Sequence, residues 1–584
     1  MSETETGLRS RLTSYGDDAF SLFLRKAFIK GAGYSDDALD RPIIGIIDTS
    51  SGFNPCHGNV PSLIKAVERS VMLGGALPIP FPTISLHESF ASPTSMYLRN
   101  LMSIDTEEMV KAQPMDGVVL TVPAQLMGAI SANVPCISLV TGPMLAGSHQ
   151  GRRVGACTDC RSYWKSYRAG LIDIEEIGRV NNELVSSVGT CGVMGTASTM
   201  ACILEALGMA PLGSATPTAP SSARLRVAEQ TGSIIVKISL ASNSPLRPQS
   251  ILSRKSFENA ITLLHAIGGS TNAIVHLLAI AGRLPGLGPS QPGGITLDDV
   301  ARIGQRTPLL VDLKPSGDGY MEDLHRAGGV PAILSRLAEG GLLHLDARNI
   351  AAPTLGAALA AYPQSQLSFP QTIIHSLTDP LYLGAPIVVL RGNLAPGGCI
   401  LKAAAATPAL FRHRGPALVF TSAEDLAARI DDQDLSVTPD SVLVLQNIGP
   451  VGHPGMPEAG LIPIPKKLGA QGVQDMLRIS DGRMSGTAQG TVVLHVAPEA
   501  AVGGPIALIH DGDVVGIDVE GGKIWVDVEG GDSELEKRKE EWTQKQNAFM
   551  KRKRRGYLGL YESTVMQADT GADFDWLGAD FEAS

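Results

Sequence analysis

"DGVVLTVPAQLMGA", residues 116–129, is the stretch whose reading decides the fold. Residues 117–120 form the short apolar run expected of a fully buried strand, and Pro123 opens a helical pattern, because proline's fixed φ suits the first turn of a helix. Thr121 stands just ahead of that turn and is predicted to cap it. A strand passing at once into a helix is half of a βαβ unit, and in open α/β sheets ligands gather beyond the carboxyl ends of such strands. The joint here holds only Thr121 and Val122, with no acid, base or metal ligand.

Working outward, the same alternation recurs. Apolar runs at 43–47 and 136–140 alternate with helical patterns at 59–72 and 196–207, which predicts a mainly parallel sheet. The pattern changes near 360–385, through "AAYPQSQLSFPQ" and "TDPLYLGAP". Beyond it strands dominate, as in "IVVLRGN", "VLVLQN" and "TVVLHV". In "IDVEGGKIWVDV", residues 517–528, alternating arms flank Gly521 and Gly522 and read as a hairpin. The expected fold class is α/β, with an N-terminal parallel-sheet domain over 1–375 and a smaller β-rich domain over 376–584. Neither internal repeats nor a low-complexity tract interrupts it.

A chain of 584 residues is too long for one core. Its 44% hydrophobic and 18% charged residues exclude a disordered chain. With 48 Lys+Arg against 58 Asp+Glu, the net charge of −10 argues against nucleic acid as the main partner. "KRKRR", residues 551–555, has the composition of a nuclear signal but follows a helix-like run of mixed charge, and reads better as a solvated helix end. The N-terminal "MSETETGLRSRL" suits neither a secretory signal nor a transit peptide, and no apolar run approaches the ~18 residues of a membrane span. A cytoplasmic protein is expected. Seven cysteines, an odd number in a long chain, suit a reducing compartment and leave the thiols free to be ligands, nucleophiles or core residues.

Several segments carry candidate chemistry. Cys157 and Cys160 form a C-x-x-C that reads as half a zinc site, a redox pair or two ordinary thiols, and no second ligand pair follows at finger-like spacing. Cys56 in "NPCHGN" and Cys191 in "GTCGVMGTASTM" lie in loops after strands, as ligands or as small residues in tight turns. Ser485 and Thr487 sit in "RISDGRMSGTAQG", where small neighbours leave room for a substrate beside a hydroxyl, although a capping serine in a Gly-rich turn has the same look. Glu458 in "GPVGHPGMPEAG" and Glu88 after His87 are hard-cation ligands or plain loop acids. His265 and His325 are candidate bases that read more simply as hydrogen-bonded structural histidines.

"NPCHGNVPSLIKAV", "GTCGVMGTASTMACILEALGMA", "LLHAIGGSTNAIVHL", "PLLVDLKPSGDGYMEDLHRAGG", "GPVGHPGMPEAG" and "RMSGTAQGTVVLHVAPEAAVGGP" together resemble the dihydroxy-acid and sugar-acid dehydratase (IlvD/Edd) family, from about residue 10 to the C-terminal "QADTGADFDWL". The resemblance implies a β-barrel-like C-terminal domain, an active site between the domains, and homodimers or homotetramers. It implies removal of water from a 2,3-dihydroxy acid, either a sugar acid or a branched-chain acid, to give a 2-keto acid. The implied cofactors are a [2Fe–2S] cluster, whose open iron draws off the 3-hydroxyl, and Mg²⁺, which neutralises the carboxylate. Position by position, Cys56 and Cys191 match cluster ligands, Glu88 and Glu458 match Mg²⁺ ligands, Ser485 matches the base, and Thr487 its positioner. Cys157 and Cys160 fall in a segment similar to some sugar-acid members and outside the family's cluster site.

One departure lies in the opening stretch. Similar family members read "DGVVL", then a loop of the type G-G-C-D-K, then "TVPAQ"; here roughly six residues are absent, about the length of an ordinary connection. The absent piece holds the second cluster cysteine, a Mg²⁺-binding aspartate and a carbamylated lysine. No stand-in is evident in the sequence, so severely impaired activity is expected. Two other readings remain open: a non-catalytic member that pairs with an active paralogue, and a thiol or metal protein using Cys157 and Cys160.

Overall fold

A computed structural model describes residues 6–12, 15–241, 246–363, 365, 369–549 and 554–579. Residues 1–5 of the N-terminal stretch and 551–553 of "KRKRR" lie outside the described residues.

The first sheet is built from β1 (Ile43–Asp48), β2 (Leu77–Pro82), β3 (Gly117–Leu120) and β4 (Cys136–Ser138). Its order is β2-β1-β3-β4 and every pair is parallel, as the alternating pattern predicts. All of β3 is buried, which explains why its sequence is a continuous apolar run rather than an alternating one. Asp116 serves this frame: its carboxylate accepts the backbone N–H of Ile43 at 2.7 Å and of Gly7 at 2.8 Å. Two glycines in the same stretch mark close approaches. A Cβ on Gly117 would overlap Ser239 of helix Ser222–Ser239, and one on Gly128 would overlap the Ser103 carbonyl of helix Arg99–Ala112.

Strand β3 passes directly into helix Pro123–Ala132, but Thr121 does not cap it. Val122 is the N-cap residue, and Gln125 reaches back so that its Oε1 accepts the N–H of Thr121 at 2.6 Å and of Val122 at 3.2 Å. With no loop between strand and helix, the orphan donors are satisfied from inside the first turn. The Gln125 amide also donates to Thr83 Oγ1 at 3.0 Å, tying the joint to the end of β2.

A short hairpin follows, β5 (Gly147–His149) and β6 (Arg152–Val154), and then a helical layer. Helices Thr196–Ala206, Arg254–Ala266 and Gly329–Glu339 enclose a second core that includes Leu263, Leu310 and Leu334.

The second sheet holds eight strands: β7 (Val388–Leu390), β8 (Gly398–Leu401), β9 (Arg412–Phe420), β10 (Val442–Leu445), β11 (Arg478–Ser480), β12 (Val492–Ala497), β13 (Val514–Asp518) and β14 (Lys523–Asp527). The order is β14-β13-β9-β10-β11-β12-β8-β7. Its two edges nearly meet, because Arg391 just beyond β7 accepts the N–H of Ile524 and donates to Gly522 O, each at 3.0 Å. The result is barrel-like, with Leu390, Cys399, Val444, Val493 and Ile524 in its core. β13 and β14 form the hairpin expected around Gly521 and Gly522, with Ile517 opposite Ile524. Strands β9 to β12 run parallel, so this domain has a carboxyl-end crevice of its own.

Candidate active site

The two crevices open into one cavity of about 1360 Å³, and the six residues to which the resemblance gives a role all line it: Cys56, Glu88, Cys191, Glu458, Ser485 and Thr487. Cys56 lies in the turn Pro55–His57 after β1, and Glu88 opens the turn Glu88–Phe90 after β2. Cys191 precedes helix Thr196–Ala206, and its carbonyl accepts Ser198 Oγ at 3.1 Å. Both thiols are half-buried rather than exposed. From the barrel side, Glu458 comes from the loop after β10, and Ser485 and Thr487 from the loop after β11.

Ser485 and Thr487 are buried and share a hydrogen bond of 2.9 Å between their hydroxyls. Their loop is stitched to the N-terminal domain. Asn272 donates to Met484 O at 3.0 Å, Thr158 Oγ1 donates to Thr487 O at 2.9 Å, and Gly486 lies so close to Ser270 that a Cβ would crowd it. The serine position is therefore set by both domains.

Between the acids stands Arg483. Its Nη1 donates to Glu458 Oε1 at 2.9 Å and its Nη2 to Glu88 Oε1 at 2.9 Å and Thr94 Oγ1 at 2.7 Å. Glu88 also accepts Thr94 Oγ1 at 2.6 Å and the hydroxyl and N–H of Ser95. Burial pushes the Glu88 carboxyl up, but Arg483 and these hydrogen bonds together hold it below its usual range. Glu458, more deeply buried and facing Glu88, is raised despite Arg483. Arg161 Nη2 lies 3.7 Å from Glu458, and its Nε is buried without a partner.

These contacts decide whether Mg²⁺ fits. The ion needs near-octahedral oxygen ligands at ~2.0–2.1 Å. Here a guanidinium already joins the two carboxylates, and among the described residues no group of three or more His, Cys, Asp or Glu is placed to hold a metal ion. As arranged, Glu88 and Glu458 do not fit Mg²⁺.

The thiols correct another expectation. Cys157, expected outside the cluster site, stands beside it: its Sγ lies 3.6 Å from Cys191 Sγ, and both line the cavity with Cys56 and Cys160. The hairpin β5–β6 and the start of helix Thr158–Arg168 deliver it there. Hydrogen bonding with Cys160 and Cys191 pulls the Cys157 thiol well below its ordinary range, while burial raises Cys56 to about 11. The C-x-x-C itself was the signal for this residue. Arg483 was legible only as a lone cation in a Gly/Ser loop, and Arg161 carried no signal beyond its place after Cys160.

The histidines divide. His265 bonds Val300 O at 3.0 Å and His325 bonds Thr216 Oγ1 at 3.1 Å, both away from the cavity lining and structural in role. His57 and His276 do line it, with His57 held to Thr49 Oγ1 at 2.7 Å and kept neutral by burial, which lowers it to about 4.

Comparison with known proteins agrees with this architecture. Residues 41–358 match the model of the dihydroxy-acid/6-phosphogluconate dehydratase N-terminal domain, and residues 372–572 that of its C-terminal domain. The chain is 43% identical to an L-arabonate dehydratase of Azospirillum brasilense, covering 99% of this chain and 98% of that one. It is 40% identical to a 6-deoxy-6-sulfo-D-gluconate dehydratase of Pseudomonas putida, covering 97% and 96%. It is 35% identical to a dihydroxy-acid dehydratase of Caldicellulosiruptor saccharolyticus, covering 94% and 97%. Neither a non-catalytic partner role nor a thiol protein built on Cys157 and Cys160 is favoured by these matches, and the chain belongs to the dihydroxy-acid/6-phosphogluconate dehydratase family, a family of hydro-lyases.

Proposed function

We propose that the chain dehydrates an unphosphorylated sugar acid to a 2-keto-3-deoxy acid, with low turnover. The observation that carries this is the placement of the Ser485 and Thr487 hydroxyls, from the barrel, in the same cavity as the thiols, acids and arginines of the parallel-sheet domain.

Ser485 Oγ takes the proton from C2, and the Thr487 hydroxyl, donating to that oxygen, holds its anionic form. Arg161, paired with Glu458 through Nη2 but with its Nε unpartnered, is the cation for the substrate carboxylate. The 3-hydroxyl leaves as water with the proton that Ser485 took from C2, which returns Ser485 to its anionic form, and the resulting enol tautomerises to the keto acid. An iron–sulfur cluster, when bound, supplies a Lewis acid that eases that departure. Low turnover follows from the short β3 joint, which lacks the aspartate and lysine that the resemblance places there, and Arg483 occupies the space between the two remaining carboxylates.

Polar residues in the lining, among them Ser95, Thr121, Lys165, Gln474 and Gln489, can meet the hydroxyls of a polyhydroxylated chain. The relatives named for sugar acids, at 40% and 43% identity, point the same way. Homodimers or homotetramers are supported by Phe23 and Phe28, which helix Asp18–Lys30 leaves 64% and 80% exposed. No helix among the described residues is long and apolar enough to cross a membrane, and all seven cysteines are free, which supports a cytoplasmic location. The test is 2-keto acid formation from a panel of pentonates and hexonates against 2,3-dihydroxyisovalerate. Faster turnover of the branched-chain acid would sink the substrate assignment.

A further inference from the structure

We propose that Cys157 takes the place of the thiol missing from the β3 joint, so that Cys56, Cys157 and Cys191 form a three-thiolate site for a [2Fe–2S] cluster. Two thiolates on one tetrahedral metal with ~2.3 Å bonds lie ~3.8 Å apart. Cys157 and Cys191 stand at 3.6 Å, close to that spacing before any metal enters. Cys56 lines the same cavity, and its turn is tied to the loop of Cys191, where the Gly189 N–H donates to Pro55 O at 3.3 Å. A mononuclear ion would need three ligands at one point, which the described residues do not offer. A two-iron cluster spreads its ligands over two metals, with the close pair on one iron and Cys56 on the other, leaving one iron open.

Cys157 is also held where the site needs it. The Asp159 carboxylate accepts Lys314 Nζ at 2.7 Å, Tyr320 Oη at 2.8 Å and the Gly155 N–H at 2.8 Å, so the turn before the helix is pinned from both ends. Thr158 bonds the carbonyl of Thr487, fixing Cys157 relative to the catalytic loop. Cys160 is not the ligand: its Sγ is turned to the Cys157 carbonyl at 2.7 Å. The C-x-x-C therefore contributes one thiolate and one positioning turn.

The inference rests on the family reading but not on turnover, and its test reads metal rather than product. Apoprotein, prepared anaerobically, is titrated with a [2Fe–2S] cluster supplied as its glutathione complex. Each protein thiol replaces a glutathione thiolate at iron and gives its proton to the departing sulfur, so no oxidant or reductant is consumed. Bound iron and sulfide and the visible circular dichroism of the bound cluster are then measured. The full chain and Cys160→Ser are expected to hold a cluster, whereas Cys157→Ser weakens binding by ~10-fold or more. Inserting Gly-Gly-Cys-Asp-Lys between Leu120 and Thr121 is expected to restore binding to Cys157→Ser, which a merely misfolded variant would not show. A full chain that stays colourless, or a Cys157→Ser variant that binds as well as the parent, overturns the proposal. A chain that holds the cluster yet turns over no hydroxy acid leaves it standing and overturns the proposed function instead.

Discussion

The two loops that meet across the cavity have fared differently. After β11 the barrel presents a long Gly-rich loop in which Arg483, Met484 and Thr487 are each held by contacts from the other domain. After β3 the parallel sheet presents only Thr121 and Val122, sealed by Gln125. On one side of the cavity the two hydroxyls of the proposed proton transfer stand 2.9 Å apart, and the other side lacks the connection on which the resemblance places metal ligands. The short joint closes because its backbone donors find an acceptor within the first turn of the helix, whereas neither Thr121 nor Val122 can serve as a thiolate or carboxylate ligand. Its replacement thiol comes from a helix 36 residues further along the chain, counting from Thr121 to Cys157.

Restoring the short side is the strongest way to break the comparison. Insertion of Gly-Gly-Cys-Asp-Lys between Leu120 and Thr121 is expected to raise sugar-acid turnover by ~10³, the equivalent of ~4 kcal/mol of transition-state stabilisation. Steady-state rates of the inserted and parent chains with the same aldonate check this. Equal rates would mean that the short joint is not what limits the enzyme.

Arg483 tests whether the acids depend on a cation of the chain's own. Arg483→Met is expected to cost about 3 kcal/mol near neutral pH, because Glu88 and Glu458 are left facing each other without it. The sign with pH follows from the carboxyls. In the parent, Glu88 is held below its usual range, so its stabilisation is present above the unfolded value of ~4.3 and is lost as pH falls through the lower folded value. Without Arg483 burial raises both carboxyls, whose protonated forms then favour the fold. The gap between variant and parent should therefore shrink as pH falls, and urea unfolding across that range measures it. Next in size, Ser485→Ala is expected to lower kcat by ~10² while leaving the melting temperature and cluster binding in place. An unchanged rate would remove Ser485 as the base.

Much of this was legible in the sequence, for physical reasons that differ by region. β1 and β3 announce themselves as apolar runs because both are buried on two faces, and β14 as an alternating arm because one of its faces is wet. Gly117 and Gly128 were visible as residues, but their reason lies in helices 222–239 and 99–112, which no local pattern connects to them. Glu88, Glu458, Cys56 and Cys191 were found from motifs and do share a cavity. The Arg483 bridge and the Cys157–Cys191 contact were not, since each joins segments far apart in sequence, and pairing across 395 residues or 34 has no local signature. The parallel run β9 to β12 was hidden for the same reason.

The smallest effect bears on the joint itself. If Gln125 substitutes for the missing connection, Gln125→Ala should cost about 1 kcal/mol, the low end for donors left unsatisfied, because the half-buried N–H groups of Thr121 and Val122 lose their acceptor together. The loss should be local: hydrogen exchange at Thr121 and Val122 should quicken while the barrel's amides stay protected. In the chain carrying the inserted loop the same substitution should cost less, since a longer connection lets solvent or its own side chains reach those N–H groups. A full-sized cost in both backgrounds would show that Gln125 caps the helix whatever precedes it, and that the shortened joint placed no special demand on it.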